Sequence, residues 1–97
     1  MYGTVAHLRL KPGMEADLDK EMAHYESLKI PGFVSTMLYR MDRDSNEFYM
    51  AVAFTDKASY LANARDPKQD ERFKRMAALL TEAPEWHDGE IIGSHGA

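Results

Sequence analysis

The chain contains no cysteine among its 97 residues, and this absence excludes several kinds of site. Disulfides, thiolate zinc sites, iron–sulfur clusters and cysteine nucleophiles all require a cysteine sulfur. A small domain without disulfides is typical of a reducing compartment, so we expect a cytoplasmic protein. Long apolar runs are also absent, because the run at residues 48–54 is far shorter than the about 20 residues of a membrane helix. Residues 1–10 lack the pattern of a signal peptide.

Positive charge is scarce in this chain. It has 12 Lys and Arg residues against 16 Asp and Glu residues, so the net charge is 12 − 16 = −4. Nucleic-acid and anionic-membrane partners both need clustered basic residues, whereas these are scattered. We therefore expect neither partner. The length predicts a single domain over residues 1–97, with residues 94–97 as a frayed tail.

Hydrophobic spacing in the first half of the chain predicts a strand, a helix and a hairpin. Residues 2–10 alternate with a period of two, which is typical of a strand. One amphipathic helical stripe follows in steps of three and four residues: Met14, Leu18, Met22, Tyr25 and Leu28. Residues 33–41 and 47–54 are predicted strands, and the polar residues 42–46 form the turn between them.

The next part of the chain predicts two helices in place of one. Thr55 or Asp56 can cap a short helix, because their side chains can accept a hydrogen bond from a nearby backbone N–H. Asp66 offers a second cap, with Pro67 at the first helical position. The apolar stripe of this second helix is Phe73, Met76, Ala77 and Leu80.

The end of the chain completes the topology. Residues 85–89 are predicted as a turn and residues 90–93 as a short last strand. The order is then β-α-β-β-α-β with a broken second helix. This is an α+β fold of the ferredoxin-like type, with an antiparallel sheet.

The third predicted strand is apolar on both of its faces. Phe48, Met50, Val52 and Phe54 alternate with Tyr49, Ala51 and Ala53. Helices cover one face of such a sheet, and the chain has no further element for the other. We therefore predict a homodimer through the sheet face, since twofold dimers are the commonest oligomers. The alternative is a monomer whose sheet alternates only weakly.

Histidines and one mixed cluster are candidates for chemistry. His7 lies within the first strand and is a candidate general base inside a dimer cavity, because an unperturbed histidine has a pKa of about 6.5. The alternative is a hydrogen bond across an interface. No two histidines have metal-ligand spacing, so we predict no metal site. Trp86, His87 and Asp88 fall in the predicted turn, where neighbouring side chains diverge, which favours an aromatic plug for the helix end over a catalytic triad.

Small side chains predict a cavity between the sheet and the helices. Ala6, Ala51 and Ala53 lie on strands that are neighbours in this fold. If they face the helices, they leave space beneath four larger residues: Tyr25, Tyr60, Phe73 and Met76. Apolar walls with a few phenols suit a small apolar or aromatic ligand. The alternative is that these alanines allow closer helix packing.

Three segments resemble the antibiotic biosynthesis monooxygenase domain family. They are VAHLRLKPGME at residues 5–15, PGF at residues 31–33 and MAVAFTDKASY at residues 50–60. The resemblance extends over about residues 2–92 and implies a dimeric α/β barrel in which two ferredoxin-like sheets face each other. It also implies a buried pocket that binds an electron-rich phenol and lets its anion pass an electron to dioxygen.

The departures from the family pattern bear on activity. Many relatives have Trp where this chain has Phe54. The residues typical of haem-degrading members are absent here, because their positions fall near Ala6, Asn63 and Ala77. Haem degradation is therefore not expected, and no cofactor is expected for the remaining activity.

Three functional hypotheses follow. The first is a cofactor-independent monooxygenase acting on a quinol, an anthrone or a similar phenolic compound, with Asn63, Tyr60 and His7 as candidate catalytic residues. Trp86 joins the cavity residues as a candidate substrate contact. The second is a module that binds a small apolar ligand without turnover, and the third is a dimer that serves protein contact.

Overall fold

The computed structural model describes residues 1–96, and its elements follow the predicted order. The strands are β1 (Tyr2–Arg9), β2 (Phe33–Arg40), β3 (Glu47–Phe54) and β4 (Glu85–Glu90), and the helices are α1 (Glu15–Ser27), α2 (Lys57–Ala64) and α3 (Pro67–Ala77). All neighbouring strands pair antiparallel in one sheet of order β2-β3-β1-β4. These features confirm the α+β ferredoxin-like fold with a broken second helix. Among the described residues, no helix is long and apolar enough to cross a bilayer.

Side-chain caps separate α2 from α3. The Asp56 carboxylate accepts a hydrogen bond from the Ser59 backbone N–H at 2.7 Å, which begins α2. The Asp66 carboxylate accepts one from the Lys68 N–H at 2.9 Å, and Pro67 occupies the first turn of α3. Both caps satisfy N–H groups that have no partner within the helix. The cap predicted at Asp66 is confirmed, and Asp56 is the residue that caps the first of the two helices.

One face of the sheet packs under the helices and holds the core. Directly paired residues of an antiparallel ladder share a face. Ala6 pairs with Met50 and Leu8 pairs with Phe48, and all four are buried in one cluster with Leu18 of α1. We call this face the helix-facing side. Its members on β1 and β3 are Thr4, Ala6, Leu8, Phe48, Met50, Val52 and Phe54.

The opposite face of the same strands is apolar but exposed. We call it the open face, and its members on β1, β2 and β3 are Gly3, Val5, His7, Ser35, Met37, Tyr39, Tyr49, Ala51 and Ala53, with the charged Arg9 and Glu47 at one end. Val5 and Met37 are 47% and 56% exposed, which is high for large apolar side chains. The prediction that the third strand is apolar on both faces is confirmed for residues 48–54.

The last strand is where the sequence-based prediction is wrong. The strand is β4 at Glu85–Glu90, so the residues predicted as a turn form the strand, and residues 91–93 lie beyond it. Trp86 pairs with Ala6 and His87 pairs with Val5. Backbone pairing with the edge of β1 decides this position, because the segment is polar and gives no hydrophobic period. Residues 94–96 are exposed and form no helix or strand, and Ala97 of the predicted tail lies outside the described residues.

Candidate functional site

A cavity of about 380 Å³ lies between the helix-facing side of the sheet and the helices. Its floor comes from Met50, Val52 and Phe54 of β3, because alternate residues of a strand point to one face. Met22 and Tyr25 of α1, Phe73 and Met76 of α3 and Trp86 of β4 form its walls. Such a volume and apolar lining are typical of sites for small organic molecules.

Aromatic rings support one end of this cavity. Tyr25, Phe33, Phe54 and Tyr60 follow one another with ring centroids 5.3 to 5.7 Å apart. All of these contacts are edge-to-face, the arrangement that aromatic quadrupoles favour. Phe73 and Trp86 meet at 6.1 Å on the other wall. The cavity therefore offers both ring faces and ring edges to a flat ligand.

A polar network of four side chains reaches into the cavity from the helices. The Asn63 amide Nδ2 donates to the Tyr25 hydroxyl at 3.0 Å, and its Oδ1 accepts from Nη2 of Arg72 at 3.4 Å. The Arg72 Nε donates to the Gln69 Oε1 at 2.9 Å, and the guanidinium lies 5.7 Å from the centre of the Tyr25 ring. Burial raises the pKa of Tyr25, while the bond to Asn63 and the charge of Arg72 oppose the rise. The Tyr25 phenol is therefore neutral at ordinary pH.

A second polar pair joins α2 to β4. The Tyr60 hydroxyl donates to Oδ1 of Asp88 at 2.8 Å. Burial, together with this carboxylate, raises the pKa of Tyr60 above its usual range, because both disfavour a phenolate. The neighbouring Thr4 hydroxyl opposes this rise. Within residues 1–96, the buried Thr4 hydroxyl has no hydrogen-bond partner, and it lines the same cavity.

Most of the residues predicted for the site meet around this cavity. Those that line it are Tyr25, Tyr60, Asn63, Phe73, Met76 and Trp86. Ala6 is fully buried on the helix-facing side but is not part of the lining. The structure thus brings together the predicted phenols, the amide and the aromatic walls.

Ala51 and Ala53 do not line this cavity, so the condition that they face the helices is not met, and His7 also lies outside it. Ala51 pairs with Val5 and Ala53 with Gly3, so both alanines lie on the open face. The strand sequence alone does not fix the register, and a slip of one residue moves a whole side-chain set to the other face. The two alanines instead line a shallow groove of about 470 Å³ on that face.

His7 belongs to a charged cluster at one end of the open face. Its Nε2 lies 2.8 Å from Oε2 of Glu47, a residue that is only 2% exposed. Arg43 donates twice to the same carboxylate, at 2.5 and 2.8 Å, and Arg9 donates at 3.3 Å. Arg43, and then His7, lower the pKa of Glu47 from 4.5 to about 2. Because Glu47 stays ionised, the His7 Nε2 is the donor of that bond.

Arg72 and Asp88 are cavity residues that the sequence reasoning missed. Arg72 comes directly before Phe73 of the apolar stripe, and a long side chain at the border of such a stripe can reach over it. Asp88 shares a face with Trp86 only because the segment is a strand. No local signal marks Asp88, because residues 85–90 are polar and have no hydrophobic period. Among residues 1–96, no group of three or more His, Asp or Glu side chains is placed to hold a metal ion.

The chain is similar to a known protein family and to several solved structures. The model of the family described as antibiotic biosynthesis monooxygenase matches residues 1–75. A structure of SnoaB, a cofactor-independent oxygenase from Streptomyces nogalater, solved as an asparagine-to-alanine mutant, is 18% identical with a TM-score of 0.81, covering 96% of this chain and 94% of that one.

Two further structures have similar folds. A putative antibiotic biosynthesis monooxygenase from Chloroflexus aurantiacus is 21% identical with a TM-score of 0.77, covering 98% of this chain and 96% of that one. One from Bordetella bronchiseptica is 19% identical with a TM-score of 0.78, covering 94% and 96%. No curated protein matches the chain. At these identities the solved structures show only that the fold is similar, and the match to the family model shows membership of the family.

Proposed function

Because the chain belongs to the antibiotic biosynthesis monooxygenase family, we propose that it is a cofactor-independent oxygenase that oxidises a quinol, an anthrone or a similar phenolic compound with dioxygen. The observation that carries this proposal is the aromatic cavity with two polar groups at its edge, Asn63 with Arg72 and Tyr60 with Asp88. The similarity of fold to SnoaB, a cofactor-independent oxygenase, supports the same class.

In this proposal Tyr60 and Asp88 remove the substrate proton. The Tyr60 proton already points at Asp88, so the phenol oxygen is left to accept a proton from a substrate hydroxyl. As the substrate proton moves to Tyr60, the Tyr60 proton moves to the Asp88 carboxylate. Asp88 is therefore the base, and Tyr60 relays the proton while remaining neutral.

Asn63 and Arg72 stabilise the negative charge that this transfer creates on the substrate. The Asn63 amide has a second N–H beyond the one bound to Tyr25, and the guanidinium of Arg72 lies beside it. Preorganised donors and a fixed positive charge in a cavity with little water stabilise an anion more strongly than bulk water does. The electron-rich anion can then pass an electron to dioxygen.

The proposed reaction balances without a further reductant. The anion and dioxygen combine to form a carbon–oxygen bond. The resulting peroxide anion then loses hydroxide as its oxygen–oxygen bond and the remaining hydrogen–carbon bond of that ring carbon break, and the hydrogen leaves with the departing oxygen. The hydroxide takes the proton back from Asp88 and leaves as water. Overall, a ring CH₂ group and one O₂ give a ring carbonyl and one H₂O.

Oxygen uptake by purified protein tests this proposal. The substrates are a panel of anthrones and reduced naphthoquinones, supplied to chelator-treated protein with a heat-denatured control. Uptake that saturates with substrate concentration and disappears on denaturation is expected. Uptake no faster than in the denatured control, with every compound of the panel, would contradict an oxygenase.

Binding without turnover is the second candidate, and one observation favours it. The two groups proposed to move the substrate proton, Tyr60 and Asp88, already bond to each other, and the Tyr25 hydroxyl already bonds to Asn63. A binding module would be stabilised thermally by the same compounds, by an amount that grows with ligand concentration, without consuming oxygen. The two readouts on one panel separate the candidates.

We also propose that a second copy of this chain covers the open face, as the family resemblance implies. The exposure of Val5, Met37 and Tyr39 supports this, because soluble monomers rarely present a contiguous apolar patch of this kind. Light scattering should give twice the chain mass, and Met37→Asp should give the single mass because it buries a charge in the interface. Ala23→Asp on the exposed side of α1 is the control. A single-chain mass for the unaltered protein at micromolar concentration would refute the dimer.

A further inference from the structure

The charges that line the cavity are unevenly balanced. Two of its three carboxylates pair with cations, since Glu21 lies 3.4 Å from Arg75 and Asp70 lies 3.1 Å from Lys74, and the third, Asp88, accepts a hydrogen bond from the neutral Tyr60 hydroxyl. Arg72 is the cation of the lining, and within residues 1–96 it forms no salt bridge. A half-buried guanidinium without an anionic partner is unusual, since charges removed from water are normally paired.

Arg72 also has N–H donors that are not used in the hydrogen bonds to Gln69 and Asn63. Its Nε and one Nη2 proton bond to the neutral amides of Gln69 and Asn63, and the second of these bonds is long at 3.4 Å. A guanidinium has five N–H donors, so three remain. Packing against the Tyr25 ring and the Gln69 bond hold the group in place, which lowers the entropy cost of binding a ligand.

We propose that Arg72 makes this cavity selective for aromatic compounds that carry a carboxylate. A guanidinium matches a carboxylate because two parallel N–H donors meet its two oxygens. A phenol hydroxyl binds as a neutral group and gains a charge only when its proton is removed, whereas a carboxylate is already ionised at pH 7 when it binds. The ring would lie against the wall formed by Phe73 and Trp86, with the acid at Arg72. This inference rests on the proposed function only in that it takes the same cavity as the substrate site.

A matched pair of ligands tests the inference without any need for turnover. The pair is 1-hydroxy-2-naphthoic acid and its methyl ester, which share the ring and the hydroxyl and differ in the anion. Calorimetry under nitrogen gives the dissociation constant of each. The acid should bind about tenfold more tightly than the ester, the size expected of a charge-assisted hydrogen-bonded pair at a partly exposed site.

Three variants assign that preference to Arg72. Arg72→Gln should reduce the ratio of ester to acid dissociation constants to about one, and Arg72→Lys should retain part of it because the charge remains. Lys68→Gln, an exposed position one turn earlier on α3, removes a positive charge outside the cavity and should leave the ratio unchanged. Thermal unfolding of each variant shows that the comparison is made on folded protein.

The possible results separate this inference from the proposed oxygenase. A ratio near one in the unaltered protein, or a ratio that survives Arg72→Gln, would overturn the inference. Equal weakening of acid and ester in Arg72→Gln would also overturn it, because Arg72 would then act only by holding Asn63. If only the oxygenase proposal is wrong, the protein takes up no oxygen but still binds the acid more tightly than the ester.

Discussion

The two faces of the sheet are built from the same strands and differ in where their polar side chains lie. On the helix-facing side, the cavity places a few polar side chains among aromatic rings, including the buried Thr4 hydroxyl. On the open face, the charges are gathered at one end around Glu47, and the middle is left to exposed apolar side chains such as Val5 and Met37. The first arrangement suits a small ligand, and the second suits a broad apolar partner.

The difference follows from alternation along β1 and β3. Thr4 and Val52 point into the cavity, while their neighbours Val5 and Ala51 point away from it. One strand pair thus supplies both a ligand site and a proposed interface, and changes at adjacent residues should have unrelated effects.

The largest expected effect is on stability and compares two residues of β1 that lie on opposite faces of the sheet. Leu8→Ala removes a fully buried side chain from the core and should lower the free energy of unfolding by about 2–5 kcal/mol. Val5→Ala, on the open face, should cost less than about 1 kcal/mol at concentrations where the chain is monomeric. Urea unfolding measures both. Equal losses would mean that the open face is as well packed as the core.

The next effect is on the rate of oxidation and compares two tyrosines. Tyr60→Phe keeps the ring but removes the proposed relay to Asp88, so kcat for oxygen uptake should fall about 100-fold. Tyr39→Phe changes a hydroxyl on the open face and should leave kcat within about twofold. Tyr60→Phe with an unchanged kcat would show that the proton leaves by another route.

A smaller effect concerns ligand binding, and it compares an alanine-to-leucine change in the cavity with the same change on the open face. Ala64 lines the cavity from α2, whereas Ala53 lines the groove of the open face. Ala64→Leu should fill part of the cavity and weaken binding of a naphthol about tenfold. Ala53→Leu should leave that binding unchanged. The reverse result would restore Ala53 to the ligand site.

The smallest effect is the pH dependence of stability, which tests the charged end of the open face. Glu47 has a pKa of about 2 in the folded chain against an ordinary 4.5, so it contributes stability above pH 4.5 that is lost as the pH falls toward 2. Unfolding by urea at pH 6 and pH 3 should therefore show a larger loss for the unaltered protein than for Glu47→Gln. Glu26→Gln, at an exposed position on α1, is the control. Identical losses in the unaltered protein and Glu47→Gln would show that this cluster does not contribute.

The sequence predicts the fold well because its local signals agree with one another. The stripe from Met14 to Tyr25 forms α1, and the caps at Asp56 and Asp66 lie where the helices begin. The apolar pattern of β3 has no counterpart in β4, whose position depends on pairing with β1 and therefore on the whole fold. Local propensity carries no information about such an edge strand.

The site is only partly predictable for the same physical reason. Aromatic residues on helical stripes, such as Tyr25 and Phe73, point inward wherever the helix packs, so the cavity walls could be named in advance. The face on which each strand residue lies could not be predicted, because it depends on the strand register. Ala51 and Ala53 therefore lie on the open face and not in the cavity. Arg72 could not be predicted, because a charged residue beside the apolar stripe of a helix is usually exposed to solvent. Its contact with Asn63 depends on how α3 packs against α2.

Labelled dioxygen provides the most direct test of the proposed oxygenase. Chelator-treated protein oxidises an anthrone under ¹⁸O₂, and mass spectrometry counts the labelled atoms in the product. The account predicts one ¹⁸O atom in each new carbonyl and none when the label is in the water, provided that the product is collected before it exchanges with solvent. Oxidised product without ¹⁸O, accompanied by hydrogen peroxide, would contradict oxygen insertion and leave at most an oxidase.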